Sequence, residues 1–294
     1  MNRDLKEEIK KERKKNQVKS DIFQAVSHTL NNLISVENSI IKRLPDIKNL
    51  ETNIRKLELF QLIMSSILNS IQVVFSNNKE LHNINIYKRK RNNNIRVSSA
   101  ILFALNLNIN HLLKGIGKWE GIYNLFFDIT EENEDLIDDK IEDIFKNEFF
   151  NISELTDMEM NNFKDYFFSS DMEFLSRYFT IDFELLDTLY VEKEDYSFAL
   201  FFIIFQELIK NMFKYGTIVD KENQKFNIFS KKDGDDYLIV IENHFNKDSS
   251  SIMRNTLQGF KMVKMFSEIL GGFSKTEEND IFRVEITIKN NLIK

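Results

Sequence analysis

The sequence predicts an α+β protein: an N-terminal helical hairpin or bundle, followed by an α/β sandwich whose helices cover one face of a mixed, mostly antiparallel sheet. Three observations predict it. Glycine and proline are scarce, 8 and 1 in 294 residues, so few turns are enforced and long helices follow. The N-terminal part carries apolar residues at three-and-four spacing, which marks amphipathic helices. The last third changes character, with short β-branched and aromatic runs set between turn signals and two apolar helical stretches.

Residues 3–44 read as one long helix. Its later part places Phe23, Val26, Leu30, Leu33, Ile40 and Leu44 on one stripe, and Pro45 ends it, since proline lacks the amide donor and clashes with the preceding turn. Residues 53–75 form a second amphipathic helix, with Ile54, Leu57, Met64, Ile67, Ile71 and Val74 on its apolar side. Two such helices joined by a short connection make a hairpin. So small a hairpin leaves apolar surface to cover, either by a second copy or by the segment that follows. Residues 76–95 are polar and read as a loop, 97–114 as a helix ending near Gly115 and Gly117, and the acidic, Phe-rich stretch 128–170 as further helices.

In the last third, 180–191 reads as a strand region and 197–215 as a very apolar helix. Residues 225–231 and 237–243 form two strands around the turn Asp233-Gly234-Asp235. Residues 257–270 are helical and stop at Gly271-Gly272, and 281–289 alternate as a half-buried strand does. The chain divides accordingly into an N-terminal hairpin (1–76), a helical middle segment (77–168) and a C-terminal α/β domain (169–294). No internal repeat is present.

Composition narrows the chemistry. Hydrophobic residues make up 42 %, enough for a sizeable core, and the formal net charge of −6 gives no broad basic footprint for nucleic acid. The basic run Lys88–Arg91 reads as a solvated loop. The absence of cysteine excludes disulfides, thiol catalysis and Cys-ligated zinc, and the four histidines are too scattered to make a metal site. The N-terminus is charged without an apolar core, unlike a signal peptide, and the longest apolar run, 198–205, is too short to span a bilayer. A soluble, cytoplasmic protein is the expectation.

Two constellations stand out. In FFIIFQELIKNMFKYG (201–216), Glu207 and Asn211 are four residues apart and Lys214 follows three later, so all three share a helix face. A carboxylate and an amide on so apolar a helix need partners, because burying them unpaired costs several kcal/mol. A hard cation with phosphate oxygens would supply such partners. The other reading puts Glu207 at the helix's exposed edge beside Lys210 or Lys214. The second constellation is His28 in FQAVSHTLNN, which points away from the Phe23/Val26/Leu30/Leu33 stripe and shares its face with Asn32. An exposed neutral imidazole is a competent nucleophile toward a phosphoryl group, or else an ordinary surface histidine.

These residues resemble a known family. The pattern E-x-x-x-N-x-x-K-Y, carried here by Glu207, Asn211, Lys214 and Tyr215, is similar to the nucleotide helix of the GHKL ATPase superfamily, and within it the sensor histidine kinases. Downstream, YLIVIENHF ends in Glu242 and Asn243, where the family reads the adenine amino group. His244-Phe245-Asn246 follow where the family has glycines. LQGFKMVKMFSEILGG (257–272) resembles the Gly-rich lid, its helix and the terminal glycine pair. Gly259 is retained, with Leu257 at a position where glycine is common and with Lys261 and Lys264 beyond. Ser27-His28-Thr29-Leu30-Asn31-Asn32 sits where histidine kinases carry the phospho-acceptor, with Thr29 in place of the usual acidic residue. The resemblance covers about 20–75 and about 170–290, and residues 76–168 take no part in it.

The resemblance implies ATP and Mg²⁺ as cofactors. Asn211 would hold the metal against the triphosphate, Glu207 would support the site, and Lys214 and Tyr215 would lie near the phosphates or ribose. Asn243 would contact adenine, and Gly259 and Lys261 would belong to the lid. His28 would accept the γ-phosphoryl group, Asn32 would assist dephosphorylation, and a response-regulator aspartate would be the next acceptor. A homodimer through the N-terminal helices follows from the same family. Two alternatives stand beside it: a catalytically degenerate regulator or phosphotransfer scaffold, and an ATPase that uses Glu207 as base and no phospho-histidine.

Overall fold

A computed structural model describes residues 50–75, 94–114, 152, 155–192, 196–215, 225–244, 257–278 and 280–293, together with residues 7, 10, 12, 13, 34 and 41, all six of them helical. The remainder of the expected 3–44 helix, with His28 and Asn32, lies outside the described residues, as does the basic run 88–91.

The helix expected over 53–75 is present as α1, Leu50–Phe75. Its Leu59 and Phe60 are buried, and the Phe60 ring lies 6.4 Å from Phe103. Phe103 belongs to α2, Val97–Lys114, which occupies the range its apolar pattern predicts. The three residues before it, expected to end a loop, form strand β1 (Asn94–Arg96) instead. They pair antiparallel with β3 (Tyr190–Glu192), which places Ile95 beside Val191.

Part of the 128–170 stretch is helical as expected. Helix α3, Asp157–Phe167, opens on a capping box in which the Glu159 amide donates to Thr156 Oγ1 at 3.2 Å and the Glu159 carboxylate accepts from the Thr156 amide at 3.4 Å. The expected strand region 180–191 is not continuous. It breaks into β2 (Phe179–Ile181) and β3 around a 3₁₀ turn at Leu186–Thr188. The cause is local: Asp182 Oδ1 accepts the Glu184 amide at 3.0 Å, a short side-chain-to-backbone bond that turns the chain.

Helix α4 (Tyr196–Tyr215) is the centre of the molecule. Every residue from Ser197 to Phe205 is buried, so the helix is apolar all round. Phe202 packs on Phe103 of α2 at 5.3 Å, and Phe213 meets Phe179 and Phe226 at 5.6 and 6.4 Å. Strands β4 (Phe226–Asp233) and β5 (Asp236–His244) follow as the predicted hairpin, with Gly234 at φ +63° in the first central position of its two-residue turn. Helix α5 is Leu257–Leu270.

The glycine pair after α5 does more than end the helix. Strand β6, Gly271–Glu278, begins at once and pairs antiparallel with β7, Ile281–Ile288. A Cβ at Gly271 would stand 2.7 Å from the Thr287 carbonyl oxygen, so only glycine lets the two backbones approach so closely.

The main sheet has the order β2-β4-β5-β7-β6. Only β2 and β4 run parallel, so the sheet is mixed and mostly antiparallel, as the sequence predicts. One face carries Phe226, Ile228, Ile239, Ile241, Val284, Ile286 and Ile288, all buried in the same core as α4 and α5. Side chains from α1, α2 and α4 join that core, so elements from all three parts of the chain meet there. Among the described residues no helix is long and apolar enough to cross a membrane.

Candidate functional site

Helix α4 presents Glu207 and Asn211 one turn apart near its C-terminal end. Glu207 is buried, while Asn211 is half-buried. Glu207 Oε1 lies 3.5 Å from Lys210 Nζ, so the carboxylate is held against a cation of its own helix. The Lys210 neighbour foreseen for an edge position is therefore present, but the carboxylate it faces is buried rather than exposed. Lys214 and Tyr215 fall in the last turn of α4, and their side chains lie outside the described ones.

Gly259 lies in the first turn of α5, directly on this carboxylate. A Cβ built on it would stand 2.6 Å from Glu207 Oε2. The two motifs, 52 residues apart in sequence (259 − 207), are thus in van der Waals contact. The first turn of a helix favours a negative charge, since its amides are unpaired and the helix dipole is positive there. Lys261 is exposed on α5, and Lys264 faces solvent with its ammonium 3.9 Å from Glu268.

Asn243 is buried at the end of β5. Strand alternation decides between it and Glu242. Asn243 pairs across the sheet with Phe226 on one side and Phe282 on the other, and so faces the helices. Glu242 turns to the opposite face and accepts from Arg283 Nη1 at 2.8 Å. Asn243 Nδ2 donates to the His244 carbonyl at 3.1 Å. Its amide oxygen accepts no hydrogen bond from another described residue. His244 Nδ1, next along the chain, is buried and unpartnered among the described residues.

Short contacts join these positions into a circuit. Glu207 touches Gly259. The neighbouring Phe260 lies 5.6 Å from Phe282, which is the cross-strand partner of Asn243. On the other side Asn243 pairs with Phe226, which packs on Phe213, two residues beyond Asn211. The α4 motif, the end of β5 and the start of α5 therefore border one region of the fold. Phe260 and Phe282 had no sequence signal beyond apolar periodicity, which marks them only as core.

Lys275 completes the corner. Its Nζ stands 5.0 Å from the ring centroids of both Phe260 and Phe282, and it pairs with Glu277. His28 and Asn32 cannot be related to this region, because they lie outside the described residues. Among the described residues no three His, Cys, Asp or Glu side chains gather to hold a metal.

No protein-family model matches the chain, and no curated protein matches it. Among solved structures it is similar to the Acinetobacter baumannii histidine kinase AdeS, at 10 % identity over 90 % of this chain and 98 % of that one, with a TM-score of 0.32. A TM-score at that level equates no residue of one chain with a residue of the other.

Proposed function

We propose that this chain is a cytoplasmic histidine kinase-like protein that binds Mg·ATP between α4, α5 and the end of β5. The γ-phosphoryl group passes to His28 and then to a response-regulator aspartate. In the first transfer a P–N bond forms at the imidazole as the bond between the β-γ bridging oxygen and the γ-phosphorus breaks, and ADP leaves. The reading is carried by the contact of Gly259 with Glu207, which joins the two sequence motifs on which the resemblance rests. The donor chemistry is compatible: one amide and one carboxylate suit Mg²⁺, which keeps water and phosphate oxygens as its main ligands. The protein's contribution would be positioning and charge neutralisation.

The acceptor role of His28 rests on its sequence context alone. Dimerisation through the N-terminal helices has one supporting observation: Ile34, Ile41, Leu50, Ile54 and Leu68 are exposed apolar side chains on helical residues of that region.

A nucleotide-binding regulator without transfer is the second reading, favoured by Thr29 after His28 and by His244-Phe245-Asn246 where the family has glycines.

The test is incubation of the purified protein with γ-labelled ATP and Mg²⁺, beside His28→Ala and Asn211→Ala. Acid-labile label on the protein, lost in both variants, is the expected result. Nucleotide binding without label supports the regulator, and phosphate release that persists in His28→Ala supports the ATPase. No binding at millimolar ATP ends all of the nucleotide readings.

A further inference from the structure

Helix α4 spaces Glu207, Lys210, Asn211 and Lys214 so that the last three follow the first by three, four and seven residues, and one helix face carries all four. Lys210 falls between the carboxylate and the amide in this set, with its ammonium 3.5 Å from Glu207 Oε1. The order, acid before base along the helix, is the favourable one.

Burial sets this pair apart. The Glu207 side chain is 10 % exposed and that of Lys210 28 %. In the helical pairs Glu51–Arg55 and Lys264–Glu268 every side chain is at least 46 % exposed. Those pairs are solvated and hold weakly. A carboxylate withdrawn from water needs a counter-charge, and its interaction with that charge is less screened. Among the described residues Lys210 is the cation paired with it.

The same contact orients the group. Oε1 faces Lys210, and Oε2 faces Gly259 in the first turn of α5. Neighbours on the two oxygens fix the plane of the carboxylate, α5 by contact and Lys210 by charge. The torsion that sets this plane is intrinsically broad, so the side chain does not fix it unaided.

We infer that Lys210 is a positioning residue: it holds the Glu207 carboxylate in the orientation that supports the site at Asn211, one turn on, and does not itself touch nucleotide. This rests on the phosphoryl-transfer reading and adds to it the residue that keeps the supporting carboxylate in place.

The experiment uses the full chain. It measures the rate at which label from γ-labelled Mg·ATP appears on the protein, and Mg·ATP affinity by calorimetry. Lys210→Met should slow labelling by about tenfold, the order expected when a group near the reacting atoms is misplaced, and leave affinity unchanged. Lys210→Arg keeps the charge and should restore most of the rate. In a Glu207→Gln background, Lys210→Met should cost nothing further, because the two residues act as one unit. Thermal melting checks that each variant is folded, and Lys210→Gln repeats the test if the methionine variant is not.

An unchanged labelling rate in a folded Lys210→Met overturns the inference and leaves phosphoryl transfer standing. Equal slowing with and without the Glu207 carboxylate overturns it too, since Lys210 would then act on its own. Weaker Mg·ATP binding in both backgrounds assigns the ammonium to the phosphates instead. If wild type takes up no label, the inference falls together with the transfer reading beneath it.

Discussion

The start of α5 rests on the carboxylate of Glu207: a methyl group at Gly259 would lie 2.6 Å from Oε2. The atom it would strike is the end of a side chain, so the carboxylate must turn away rather than the backbone move. Alanine is also the better helix former, by about 1 kcal/mol at an interior position. Gly259→Ala therefore separates stability from function. Its melting temperature should equal or exceed that of wild type, while phosphoryl transfer from Mg·ATP slows by about tenfold or more as Glu207 loses its place. An unchanged rate would show that the contact is packing alone.

Glu207→Gln and Asn211→Ala probe the same helix in different ways. The first keeps volume and removes charge. It also removes the ion pair with Lys210, whose 3.5 Å separation and partial exposure make its loss small, within about 1 kcal/mol. Asn211 is half-buried, so its truncation should likewise cost no more than about 1 kcal/mol. Both should leave urea midpoints close to wild type. Asn211→Ala should abolish the Mg²⁺ dependence of ATP binding, whereas Glu207→Gln should retain binding and slow phosphoryl transfer. A large shift in urea midpoint for either would make the residue structural first.

Much of this was legible in the sequence, for reasons that differ by element. The 97–114 helix and the 226–244 hairpin were legible because periodicity and the turn at Gly234 act locally. Strand β6 was not: GGFSKTEE is polar and does not alternate, and it becomes a strand only because β7 offers an edge to pair with. Between 180 and 191, β-propensity lost to the turn made by Asp182. At the site, the motif identified Glu207, but its burial under Gly259 arises from packing between distant segments. Phe260 and Phe282 border the same region, but in sequence they carry only the apolar pattern of core residues.

Two buried polar residues should respond to substitution with opposite signs. Asn108 ties α2 to α4: its Nδ2 donates to Ala104 O at 2.8 Å and to Gln206 Oε1 at 3.1 Å. Asn108→Ala removes the link to Gln206 and should destabilise by about 1 kcal/mol, the net worth of one such hydrogen bond. Ser267, on the buried side of α5, has a hydroxyl with no partner among the described residues. Ser267→Ala removes a desolvated, unsatisfied group and improves helix propensity, so stability should rise by about 1 kcal/mol. Urea unfolding of both variants decides it. A destabilised Ser267→Ala would mean that its hydroxyl is bonded in solution.

The outer face of the sheet should make stability depend on pH in one direction. Glu285 accepts from Ser274 Oγ at 2.8 Å and from Arg283 Nη2 at 2.7 Å. The Ser274 bond and then the guanidinium hold its carboxyl below its ordinary value of 4.5, against an opposing push from burial. A carboxyl whose folded value is depressed binds its proton less readily in the folded state than in the unfolded one. Its contribution to stability is therefore full above about pH 4.5 and disappears as the pH falls through the lowered folded value. Glu285→Gln should accordingly be less stable than wild type at pH 7, with the gap closing below pH 4.5 as wild type loses the same charge. Ser274→Ala should reproduce part of the effect, because it removes the largest cause of the depression. Chemical denaturation of the three proteins at several pH values measures the gap directly, and a gap that persists unchanged at low pH would trace it to lost packing instead of the charge.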